Sequence, residues 1–122
     1  MSNKIKGKYG EDIAAKYLIK KGYKIIERNY HFSRYGEVDI IAFDKGQLCF
    51  IEVKARTGDK FGAPLEAVTP SKLAKIHKCA LSYLPKCPYG FKGFRIDVIS
   101  ILWQDNTMPG EPEITHIKNV EF

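Results

Sequence analysis

Two stretches of this chain, Gly36-Glu37-Val38-Asp39-Ile40-Ile41 and Cys49-Phe50-Ile51-Glu52-Val53-Lys54, carry an acid and then an acid-x-base triplet inside apolar runs that otherwise read as core strands. Between them lies Asp44-Lys45-Gly46-Gln47. A two-residue turn centred on Lys45-Gly46 folds the runs into an antiparallel hairpin, with glycine taking the positive φ that such turns demand. The turn fixes the register: Asp44 faces Gln47, Phe43 faces Leu48, Ile41 faces Phe50, Asp39 faces Glu52 and Glu37 faces Lys54. The last four pairs share one face, because side chains alternate along a strand. Asp39 and Glu52 thereby become cross-strand neighbours. Two carboxylates about 5 Å apart repel by roughly 3 kcal/mol at an effective dielectric of about 20, so the pair is a poor choice for stability alone. A divalent cation reverses the sign, and oxygen-only ligation suits magnesium or manganese, ions that serve chemistry on phosphate esters.

At 122 residues and 44% hydrophobic content the chain is long enough for one domain with a real core and short for two, so a single domain over residues 1–122 is expected. Lys and Arg number 20 against 14 Asp and Glu. Several of the acids sit in the hairpin, which leaves the remaining surface more basic still. Such a surface favours nucleic acid as partner over an anionic membrane or plain solubility. Cys49, Cys79 and Cys87 are odd in number and lack a CxxC spacing, which indicates neither a zinc site nor a disulfide framework. His31, His77 and His116 are too scattered to suggest a metal cluster and read as core or surface residues. With no secretory apolar segment and no run of about 18 apolar residues, a cytoplasmic protein with no membrane partner is expected.

Residues 3–21 have helical spacing, with Glu11, Ala15 and Leu18 at i, i+4 and i+7 beside Ala14, and Gly22 as the stop. On that phase Glu11 points inward with the small residues, while Lys4, Lys8, Lys16 and Lys20 take the other side. Glu11 also reads as a first-turn acid complementing the helix dipole and pairing with a nearby lysine. Residues 23–32 predict a strand, followed by the hairpin strands 36–43 and 48–56 and a polar loop over 57–67 carrying Lys60 and Phe61. Thr69-Pro70 is an N-cap and first helical position, after which Leu73, Ile76, His77, Ala80, Leu81 and Leu84 mark a buried stripe ended by Pro85 and Pro88. Lys72, Lys75 and Lys78 line a side away from most of that stripe, either to track a phosphate backbone or as a solvated face. Residues 94–102 predict a strong strand and 113–120 a weaker one after the Pro109-Gly110 break. Asp97, with Arg95 two residues away on the same face, reads as a structural ion pair.

An acid on one strand, Glu-x-Lys on its hairpin partner and an acid on the preceding helix resemble the core pattern of the PD-(D/E)xK nucleases, the restriction-endonuclease-like superfamily. More closely, Lys8-Tyr9-Gly10-Glu11, Glu27-Arg28-Asn29-Tyr30, Gly36-Glu37-Val38-Asp39-Ile40-Ile41, Phe50-Ile51-Glu52-Val53-Lys54-Ala55-Arg56 and Arg95-Ile96-Asp97-Val98 are similar to the bacterial YraN-type family, akin to archaeal Holliday-junction resolvases. Val38 stands where the superfamily pattern has proline, which leaves the metal-binding carboxylate in place. The resemblance implies an α/β restriction-endonuclease-like αβββαβ core, a central mixed sheet flanked by helices. It implies that Asp39 and Glu52 ligate Mg2+ or Mn2+, that the Val53 carbonyl completes the site, and that Glu11 binds the ion through water or a second metal. Lys54 then orients the attacking water, and the product carries a 5′-phosphate. Arg56, Lys72 and Lys75 are the expected contacts to backbone phosphates.

Two readings compete with a metal-dependent DNA endonuclease acting on branched DNA. One is a catalytically inactive nucleic-acid-binding protein that keeps the nuclease fold. The other is a structural protein whose charges are ordinary ion pairs, with Lys54 bridged to Glu37 across the hairpin. Resolution of a four-way junction takes two symmetric cuts and therefore a homodimer, for which the sequence carries no heptad or apolar patch.

Overall fold

In a computed structural model, which describes residues 3–58, 68–104 and 110–121, helix α1 spans Asn3–Lys20. It ends because Gly22 takes φ +96°, and the turn that follows returns the Tyr23 N–H to the Leu18 carbonyl at 3.0 Å. Strands β1 (Lys24–His31), β2 (Glu37–Asp44) and β3 (Gln47–Thr57) form an antiparallel meander. Both central residues of the β2–β3 turn have positive φ, Lys45 at 50° and Gly46 at 89°, the geometry whose twist matches the strands it joins. The expected pairs Asp44↔Gln47, Phe43↔Leu48 and Ile41↔Phe50 are all present.

Helix α2 (Pro70–Tyr83) opens on Thr69, whose hydroxyl accepts the Lys72 N–H at 3.1 Å. It carries the chain over to β4 (Gly93–Trp103), which lies parallel to β3, and β5 (Glu113–Ile117) returns antiparallel to β4. The result is a mixed five-stranded sheet in the order β1-β2-β3-β4-β5 with a helix on each face, an α/β fold consistent with a restriction-endonuclease-like core. On one face Ala14, Ala15 and Leu18 of α1 pack on Ile40, Ala42, Cys49, Ile51, Ile99 and Ile101. On the other, Ile76, Cys79, Ala80 and Tyr83 of α2 pack on Ile41, Leu48, Phe50 and Ile96. A Cβ at Gly10 would stand 2.6 Å from the Cβ of Ala55, so glycine there lets α1 lie directly against β3.

The buried stripe of α2 differs from the one its apolar spacing predicts. His77 and Leu81 are exposed, and Cys79 and Tyr83 replace them inside. The aromatic partners set this rotation, since the Tyr83 ring meets Phe50 and Tyr30 edge-on at centroid distances of 6.0 and 5.3 Å. The last strand stops at Ile117, short of residue 120, because Asn119 turns the chain with φ 55° and the Val120 N–H bonds to the Ile96 carbonyl. Lys60 and Phe61 of the loop, Pro109 of the break and the Lys4 side chain lie outside the described residues. No described helix is long and apolar enough to cross a membrane.

Candidate active site

The β2–β3 ladder runs from the turn to Ile40↔Ile51. On the same register the next hydrogen-bonded pair would join Val38 to Val53. The Val53 N–H instead donates to Oδ2 of Asp39 at 2.7 Å. Before Ile40, β2 keeps its pairing with β1, Tyr30↔Val38 and His31↔Glu37, while β3 continues beside β4 as far as Thr57↔Trp103. The sheet therefore forks between β2 and β3 at the level of the two acids, and a carboxylate takes over the backbone donor that the fork would have stranded.

A cavity of about 300 Å³ opens at the fork, lined by Asp39, Glu52, Val53, Lys54, Lys72 and Lys75 among others. Glu52 is buried, at 5% exposure. The Asp39 and Glu52 carboxyls lie within hydrogen-bonding reach of one another. Burial pushes the Asp39 carboxyl well above the ordinary carboxylate range, and the neighbouring Glu52 adds to it, while the Val53 N–H pulls the other way. Two ammonium groups answer this charge: Lys72 Nζ stands 2.7 Å from Glu52 Oε2 and Lys54 Nζ 3.8 Å from the same oxygen. Burial lowers the Lys54 pKa and the adjacent Lys72 lowers it further. For Lys72 burial also acts downward, but the contact to Glu52 outweighs it, with the Asp39 charge adding, and holds the ammonium above its ordinary value.

The structure thus brings Asp39, Glu52, Val53, Lys54, Lys72 and Lys75 to one cavity. Lys72 faces the acids rather than an outer surface, because the α2 stripe is rotated from its predicted phase. Glu11 and Arg56 lie outside the lining of the cavity. Glu11 sits on the α1 face, where Arg28 reaches its Oε1 at 3.3 Å and Asp12 Oδ1 at 2.8 Å. The Glu11 charge still reaches Asp39 and contributes to its upward shift. The expected Lys54–Glu37 pair is absent from the hairpin: the fork separates the strands there, and Glu37 pairs with His31 at 3.1 Å. Among the described residues no three His, Cys, Asp or Glu side chains converge as a ready-made cage.

Arg28, quoted above only as part of the resemblance, is the residue to which sequence reasoning gave no role. It bridges two acids of α1, and its Nε is buried without a hydrogen-bond partner. A β-bulge between Ile25 and Glu27 decides which face Arg28 takes, and nothing in the residue types announces that bulge.

The model of the family described as "Uncharacterised protein family UPF0102" matches residues 10–101, a span that includes Glu11, the forked hairpin and α2. The UPF0102 protein of Syntrophomonas wolfei subsp. wolfei is 46% identical over 117 residues, covering 96% of this chain and 97% of that protein. UPF0102 protein Cphamn1_0017 of Chlorobium phaeobacteroides is 46% identical over 115 residues, or 93% of this chain and 90% of that protein. The UPF0102 protein of Rhodococcus opacus is 42% identical over 113 residues, with 93% and 92% covered.

Proposed function

The chain belongs to the UPF0102 family, and from its forked acid–lysine site we propose that it is a metal-dependent DNA endonuclease of the restriction-endonuclease-like superfamily. The reading extends to the YraN-type resemblance, with branched DNA as substrate and a homodimer where paired cuts are made. The observation that carries it is the facing pair Asp39 and Glu52 beside Lys54 in a cavity open to solvent. Two carboxylates that repel each other and sit in a low-dielectric fork form a donor set suited to a hard dication. Magnesium commonly uses only one or two carboxylates and keeps its waters, so two acids suffice without a third.

Asp39 and Glu52 would hold Mg2+ or Mn2+, which when bound supplies charge that polarises the scissile phosphate and makes water a better nucleophile. The Val53 amide fixes the Asp39 carboxylate, a positioning role of the kind that tunes metal ligands. Lys54, its ammonium weakened by burial, orients the attacking water and hydrogen-bonds the phosphate as its charge grows. Lys75, exposed at the rim of the cavity, and Arg56 further along β3 serve the DNA backbone.

Purified protein incubated with linear, flapped and four-way DNA, with and without magnesium or manganese, tests the proposal in one gel. Metal-dependent cuts are the expected result. Binding without cuts under every condition would favour the inactive nucleic-acid binder, a reading that draws on the absence of a third converging acid among the described residues. In the same assay Lys54→Ala should lower turnover by about 100-fold or more, the scale of a lost transition-state contact. DNA affinity should change little, since Lys54 is only one of the 20 basic residues of the chain. Parallel loss of binding and turnover would move Lys54 to the phosphate-contact class.

Glu11→Gln probes the α1 side. Because Arg28 holds Glu11 and only its field reaches Asp39, cleavage should fall by roughly tenfold, as when a group supporting a metal ligand is lost. A loss as deep as that of Asp39→Asn would put Glu11 at the reacting atoms.

A further inference from the structure

Besides the lysine of the Glu-x-Lys pattern the cavity is lined by Lys72 and Lys75, and of these Lys72 contacts the acids. Lys72 comes from α2, on a different element from the acids, and its contact to Glu52 is 2.7 Å against 3.8 Å for Lys54. We infer that Lys72 is the resident counter-cation of the acid pair, bound to Glu52 in the metal-free protein and released to the DNA phosphate when a divalent ion takes that carboxylate. This rests on reading the cavity as a metal and phosphodiester site.

Three observations support the exchange. The first is charge: three acids (Glu37, Asp39, Glu52) and three lysines (Lys54, Lys72, Lys75) leave the cavity formally neutral, so entry of a dication without rearrangement would bring it to +2. A phosphodiester and an incoming hydroxide together carry the opposite charge, so the lysines are matched to the loaded state once they turn from the acids to the substrate. The second is mobility. The Lys72 side chain is 37% exposed while that of Glu52 is 7% exposed, so the lysine can leave and the carboxylate stays. A flexible aliphatic stem carrying a point charge suits such a swing, as a planar guanidinium would not. The third is anchorage. Thr69 caps the Lys72 amide, so the backbone from which the stem pivots is fixed at the first turn of α2.

The test is a Mn2+ titration of thermal melting for the full chain, comparing wild type with Lys72→Met, Lys72→Gln and Lys72→Arg, with four-way DNA cleavage run in parallel. The methionine and glutamine variants should melt lower without metal and bind Mn2+ tighter by about fivefold, the scale of one half-exposed ion pair. They should also cleave more slowly. The arginine variant keeps the charge on a head less suited to leave and should bind Mn2+ no tighter than wild type. If Lys72→Met does not fold, Lys72→Gln carries the comparison, since its amide can still bond to Glu52. Equal or weaker Mn2+ binding in the uncharged variants overturns the inference and leaves the metal-site reading standing. The predicted contrast without cleavage in any protein supports the counter-cation role and removes the endonuclease reading. No Mn2+ response in any protein overturns both.

Discussion

If the proposed activity holds, Asp39→Asn and Glu52→Gln should each remove metal-stimulated DNA cleavage, with an expected loss of about a thousandfold or more, because metal-assisted charge stabilisation supplies several kcal/mol. Stability should move the other way for Asp39→Asn. In the folded protein burial and Glu52 push the Asp39 carboxyl up to about 8 from 3.8. The folded state therefore holds a proton that the unfolded chain releases as pH rises through that window, so Asp39 costs more stability with every step from pH 4 to 8. The variant has no such cost. Its melting temperature should exceed that of wild type by a margin that widens between pH 5 and 8 in metal-free buffer. Adding Mg2+ should close the margin by stabilising only the wild type. A variant that melts below wild type throughout that range would identify Asp39 as an ion-pair partner and take the metal site away.

The hairpin was legible as far as Ile40↔Ile51 because turn chemistry is local: Lys45-Gly46 sets the register without any knowledge of the rest of the fold, though the ladder stops before the expected Asp39↔Glu52 pair. The fork was not legible. It arises because β1 holds the start of β2 while β4 holds the end of β3, a competition between strands distant in sequence. The same limit explains Lys54, whose predicted partner Glu37 lies across the fork. Thr69-Pro70 gave the start of α2, yet its direction of burial depended on how Tyr83 met Phe50 and Tyr30, and that rotation turned Lys72 toward Glu52. Glu11 reads inward on its helix, as its spacing predicts, but the bulge that brings Arg28 to it left no mark in the sequence. The Arg95–Asp97 pair needed only the i, i+2 rule of a strand. Its further partners came from β5 and the segment after it.

Those partners make Asp97 the residue whose loss should cost the fold most. It is fully buried on β4, where Oδ1 accepts from Arg95 Nε at 3.0 Å and from the Asn119 N–H at 3.0 Å, and Oδ2 accepts from His116 Nε2 at 2.8 Å. His116 in turn meets the Tyr17 hydroxyl of α1 at 3.2 Å, and Arg95 reaches the Tyr23 hydroxyl at 2.8 Å and Asp44 at 3.5 Å. One carboxylate thus ties α1, β4, β5 and the chain after β5 together. Asp97→Asn leaves Arg95 short of its buried counter-charge, and breaking such a pair from one side costs about 3–5 kcal/mol. For a domain of this size that corresponds to a fall in melting temperature of roughly 10 to 25 °C at neutral pH. Burial raises the Asp97 pKa, but the His116, Asn119 and Arg95 contacts outweigh it and hold the carboxyl below the 3.8 of an unperturbed group. The contribution is therefore complete above that pH and drains away as pH falls through the folded-state value, so the gap between variant and wild type should narrow in acid. At a temperature where the variant is still folded it should cleave like wild type, because the network lies on the α1 face of the sheet and the cavity on the α2 face. A melting temperature within a few degrees of wild type at pH 7 would show that the network adds no net stability and that the neighbouring apolar core alone holds β5 in place.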